Sequence, residues 1–154
     1  MKQRSRQLSM VSGLTLVLLL LAPSAKADSD SCSVSALRGS FGIETSGSIV
    51  ALGPVGPVAE VGVIKFDGEG GVSQTTTVSL NGTIVPNRSS ISGNYEVNPD
   101  CTGDLSLVLP GAPGATITSH LHFVIVDNGK EVRMVNTGAG RVLLSNAKKQ
   151  ASEN

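Results

Sequence analysis

The 154-residue sequence predicts an all-β domain: a closed eight-stranded antiparallel meander barrel, with a β-sandwich as the alternative and a short N-terminal helical turn before it. Three observations point there. Short runs of alternating apolar and polar residues are separated by clusters of glycine, proline and asparagine. No helical apolar period continues past Gly39. The connections are short, which makes consecutive runs antiparallel neighbours. Closure is preferred to a sandwich because an open meander leaves two unpaired edges, each a template for aggregation.

The first segment stands apart from that pattern. Lys2, Arg4 and Arg6 precede an apolar run over residues 14–22, and Ala25-Lys26-Ala27 follows. This is the form of a secretory signal peptide, with cleavage expected after Ala27. A spanning helix needs about 20 apolar residues, and the run is about half of that. The expected organisation is therefore a signal peptide over residues 1–27, a single domain over 28–147 and a polar tail over 148–154. Localisation is expected to be secreted or periplasmic, without membrane insertion once the leader is gone.

The leader holds four of the twelve basic residues and none of the twelve acidic ones, so the remainder carries eight against twelve, a net charge near −4. A mildly acidic domain with scattered Lys and Arg has no electrostatic footprint for nucleic acid. Its aromatic residues are only Phe41, Phe66, Tyr95 and Phe123, few for a stacking platform.

Along the chain, residues 32–38 read as a helical turn capped by Asp30-Ser31 and stopped by Gly39. Phe41 and Ile43 begin the first strand, which Ser46-Gly47-Ser48 interrupts. Residues 49–57, rich in Gly and Pro, read as an extended loop. The central hairpin follows: Glu60, Gly62, Ile64 and Phe66 share one face, the glycine cluster 67–71 turns the chain, and residues 72–80 return. There Ser73, Thr75, Thr77 and Ser79 make a hydroxyl row, read as a solvated strand face in preference to an ice- or glycan-binding ladder. Asn81-Gly82 is a hairpin turn. Residues 88–97 read as one strand with Ile91, Gly93, Tyr95 and Val97 on its inner face. Leu105, Leu107 and Leu109 line the next, and residues 116–126, 131–136 and 141–147 complete the eight.

Four sets of residues are candidates for chemistry. Cys32 and Cys101, the only cysteines, are expected to form a disulfide in an oxidising compartment, closing a loop of about 70 residues worth roughly 4 kcal/mol; free thiols are the alternative. His120 and His122 project from one strand face and read as surface histidines, with a metal pair as the weaker reading because no third ligand is identifiable. Glu60 shares the parity of Ile64 and Phe66, so it is a candidate acid or base near a cavity mouth, against the simpler reading of a strand-end carboxylate in water. Tyr95 is a candidate second polar group in the same cavity, or ordinary core. Asn81-Gly82-Thr83 and Asn87-Arg88-Ser89 match the glycosylation acceptor pattern and are expected to be unused. No cofactor is expected.

A resemblance rests on Leu37-Arg38-Gly39-Ser40-Phe41, Phe66-Asp67-Gly68-Glu69-Gly70, Gly93-Asn94-Tyr95-Glu96-Val97-Asn98-Pro99-Asp100-Cys101 and Phe123-Val124-Ile125-Val126-Asp127-Asn128-Gly129. On these motifs the chain resembles a set of uncharacterised secreted bacterial proteins, and is distantly similar to the allene oxide cyclase-like barrels. The resemblance implies a closed eight-stranded barrel around an apolar cavity, and carries no catalytic residue onto this chain. The function expected is that of an exported barrel binding a small apolar ligand or a surface component. The alternative is an isomerase or cyclase acting by shape, which requires an open cavity on which Glu60 and Tyr95 converge.

Overall fold

The computed structural model describes residues 32–151, and the signal peptide expected over residues 1–27 lies outside them. Nine strands follow in order: β1 Arg38–Ile49, β2 Gly56–Asp67, β3 Val72–Leu80, β4 Thr83–Ser89, β5 Ser92–Val97, β6 Thr102–Pro110, β7 Thr116–Val126, β8 Glu131–Asn136 and β9 Arg141–Lys149. They form one antiparallel sheet in the order β4-β3-β2-β1-β9-β8-β7-β6-β5, curled into a half-barrel. The fold is all-β, and the sandwich is excluded because there is a single sheet.

The closed eight-stranded barrel is not what forms. First and last strands do pair, from Phe41 opposite Lys149 to Ile49 opposite Arg141. The break falls in mid-chain instead. The single strand expected over residues 88–97 is two strands, one bonded to β3 and the other to β6. Pro86 has no N–H to donate, and Asn87 sits at a φ of +50°. The β3–β4 register also slips between Thr76 and Val78. The chain leaves β4 one residue out of phase with β5, so Arg88 faces inward opposite Thr76 while Ile91 is exposed, contrary to its expected inward position. An isolated bridge between Gly71 and Asn94, with the Tyr95 N–H donating to Gly70 O, ties the two margins by their backbones at the aromatic end.

Three boundaries also move. The expected helical turn reduces to a three-residue 3-10 turn, Val34–Ala36, and its expected cap at Asp30-Ser31 lies outside the described residues. β1 does not stop at residues 46–48: Gly47 adopts a φ of +147°, and β9 passes so close that a Cβ there would lie 2.0 Å from Val142 O. Only glycine permits that approach. β9 in turn continues to Lys149, into the expected tail.

Inside the curl the strands are apolar at one end and polar at the other. Phe66 lies edge-to-face between Phe41 and Tyr95, with ring centroids 5.3 and 5.1 Å away. Leu37, fully buried, joins that cluster from the N-terminal segment. Cys32 and Cys101 form the expected disulfide, Cα atoms 4.8 Å apart, and strap the segment in place. Among the described residues no helix is long and apolar enough to cross a membrane.

Candidate functional site

Away from the aromatic end, the inner positions of five neighbouring strands turn polar. Thr76 on β3, Glu60 on β2, Thr45 on β1, Ser145 on β9 and Asn136 on β8 form a belt, because register places each near the next. Glu60 accepts hydrogen bonds on Oε1 from Gln74 Nε2, at 2.8 Å, and from the Thr76 hydroxyl. Thr45 and Ser145 share a bond of 2.8 Å, and Asn136 donates to Ser119 Oγ at 2.8 Å. These pairings satisfy polar groups that would otherwise be costly to bury. Glu60 does share the inner side with Ile64 and Phe66, and the simpler reading of a strand-end carboxylate in water does not hold, because β2 begins four residues earlier at Gly56.

Tyr95 is elsewhere. Its hydroxyl lies 3.0 and 2.9 Å from the carbonyl oxygens of Val34 and Leu37 and accepts from the Gly68 N–H at 3.1 Å. Burial raises its pKa, which keeps the phenol proton in place for those carbonyls. Glu60 is six residues along β2 from Phe66, the ring that Tyr95 packs against, which is about 20 Å of strand. The two groups therefore do not converge. The interior between them holds a space of about 40 Å³, room for roughly one or two waters.

His120 and His122 stand on the outer face. His120 Nδ1 is 2.9 Å from Ser106 Oγ, and His122 Nδ1 is 3.0 Å from Asp104 Oδ1. Among the described residues no third His, Cys, Asp or Glu joins them in a ligand set. The hydroxyl row of β3 also faces outward, with Ser73, Thr75 and Thr77 exposed.

The large concavity lies on the outside of the sheet. A groove of about 830 Å³ crosses β4, β3, β2, β1, β9 and β8. Outward-facing Ala59, Val61, Ile84 and Leu144 line it, with Val61, Ile84 and Leu144 exposed by 64, 59 and 66%. One end is charged: Glu131 accepts from Arg133 Nε at 2.7 Å and lies 3.8 Å from Lys148 Nζ. The sequence alternation marked Val61 as facing away from Glu60. It carried no sign that the outer surface is concave, since that depends on how six strands bend together.

Two inner residues also escaped the sequence reading, Arg88 on β4 and Arg141 on β9. Their guanidiniums reach the open end of the half-barrel, where Arg88 Nη2 donates to Pro110 O and Arg141 Nη1 to Thr118 O, each at 3.2 Å. The Pro86-Asn87 pair, as a strand breaker, was the one local signal that the parity at Arg88 would invert.

Three carboxylates have depressed pKa values. Asp67 accepts bonds from the Glu69 and Gly71 N–H groups, Asp100 from the hydroxyl and N–H of Thr102, and Glu131 from Arg133. Such groups favour folding above their unfolded pKa, near 4, and lose that contribution as pH falls through the lower folded value. Thermal melts are expected to be flat from pH 7 to about 5 and to drop below about pH 4, and Asp67→Asn should flatten part of that drop. A melting temperature insensitive to acid would contradict the assignment.

Together these features define a class: an all-β domain with a filled interior, a disulfide-strapped aromatic end and an open groove on its outer face. No family model, curated protein or solved structure matches the chain.

Proposed function

We infer that this chain is an exported, non-catalytic domain that binds a small, mainly apolar molecule on the outer face of its sheet. The observation that carries the reading is the contrast between the two spaces, about 40 Å³ inside and about 830 Å³ outside. Small-molecule sites occupy roughly 300–1,000 Å³ and combine apolar contact surface with polar groups that orient the ligand, and the groove offers both. The Ala59, Val61, Ile84 and Leu144 side chains supply the apolar contact, and Arg133 and Lys148 mark its polar end. Export is supported by the leader motif and by a cysteine pair at disulfide distance. The isomerase or cyclase alternative is less supported, since about 20 Å of strand separates Glu60 from the ring against which Tyr95 packs.

The test pairs native mass spectrometry of the protein exported by its own host with titration of a neutral fluorescent probe, N-phenyl-1-naphthylamine. Saturable probe binding is expected, weakened about tenfold or more by Val61→Asp or Leu144→Asp, because each places a carboxylate on apolar contact surface. Ile91→Asp, exposed but outside the groove, should leave binding unchanged. Probe binding indifferent to both groove variants, with no co-purified molecule, would overturn the reading.

A further inference from the structure

The open end of the half-barrel carries a charge arrangement that the groove does not use. Arg88 and Arg141 belong to strands on different sides of the curl, β4 and β9. Arg88 stands opposite inward-facing Thr76, and Arg141 has the parity of buried Ser145 and Ala147. Both side chains therefore project to the concave side. Both residues are half-buried. They anchor on the ends of one strand pair, since Pro110 closes β6 and Thr118 lies near the start of β7, where Pro110 faces Thr116.

The bonds they make do not use them up. A guanidinium has five N–H donors, and each of these gives one to a backbone carbonyl. Among the described residues neither has a carboxylate within 4.0 Å. Glu60 is the acidic group that Arg88 senses, and its Oε1 is already engaged by Gln74 and Thr76. Arg88 and Arg141 meanwhile repel each other, and burial lowers the Arg88 pKa. Partly desolvated cations are ordinarily paired, so two at one mouth without carboxylate partners leave a charge deficit that an anion would correct.

We propose that Arg88 and Arg141 form a binding site for the oxyanion group of a small molecule, a carboxylate or a phosphate, at the open end of the half-barrel. The planar fork of each guanidinium suits two oxygens of such a group. The site is separate from the outer groove and independent of what the groove binds.

Inorganic phosphate and sodium succinate, titrated separately at constant ionic strength, test the proposal by NMR of the arginine Nε–Hε signals. Saturable shifts at Arg88 and Arg141 are expected, with Arg38, exposed at the aromatic end, unmoved. Saturation by phosphate alone assigns a phosphate-bearing ligand, and saturation by succinate alone a carboxylate. Arg88→Gln or Arg141→Gln should weaken binding about tenfold, the scale of one charged hydrogen bond. Should either variant not fold, Arg88→Lys keeps the charge but loses the fork, and is expected to fall between wild type and no binding. Shifts that rise linearly with both anions and are equal at Arg38 would overturn the proposal, whatever the variants do.

Discussion

Phe66→Ala is expected to cost about 4 kcal/mol, the scale for deleting a large aromatic from a packed interior. Phe66 is 3% exposed and holds both edge-to-face contacts of the aromatic cluster, with Phe41 on β1 and Tyr95 on β5. Its removal uncouples β2 from β5, whose free margin is tied to the β2–β3 turn by the Gly71–Asn94 bridge and the Tyr95 N–H bond to Gly70 O. The cavity cannot close easily, because Tyr95 is pinned at its hydroxyl by Val34, Leu37 and Gly68. Against a total stability of roughly 5–15 kcal/mol this is a large fraction. Urea denaturation should show the midpoint falling with little change in slope. A loss under about 1 kcal/mol would mean that the cluster is not the mechanical centre of this end.

Replacing Cys32 and Cys101 together by serine is expected to cost up to about 4 kcal/mol through the freed entropy of the unfolded chain. The bond spans a sequence separation of 69 and holds the segment that delivers Leu37 to the core. Without it, that segment is retained by the Tyr95 hydroxyl and by backbone bonds such as Cys32 N–H to Pro99 O. Denaturation with and without reductant checks this: wild type in reductant should match the double serine variant. If reduction left the midpoint unchanged, the strap would not contribute to stability. Because the strap and Phe66 meet at Tyr95, the two losses should not add. Combining Phe66→Ala with the serine pair measures that coupling directly.

The faces of most strands were legible from residue types alone. Phe41 with Ile43, Ile64 with Phe66, Leu105 with Leu107 and Leu121 with Phe123 are buried where their alternation placed them. The pleat has a period of two, so one buried residue assigns its neighbours on the same strand. That logic also gave Glu60 the parity of Ile64 and Phe66 and set His120 and His122 on the outer side. It failed at residues 88–97, where one apolar alternation spans a phase slip. Ile91 then became an exposed residue and Arg88 an inward one, and a ninth strand appeared.

The amino-acid sequence by itself determined the all-β class, the antiparallel neighbours, the pairing of cysteines and the inward or outward sense of nearly every strand residue. Each of these follows from local alternation, turn chemistry or composition. Only the tertiary structure decided that the sheet opens between β4 and β5, that its interior is filled, that its outer face is grooved and that Arg88 and Arg141 reach the same mouth. These are consequences of twist, register and curvature summed over many strands, which no single run of residues encodes.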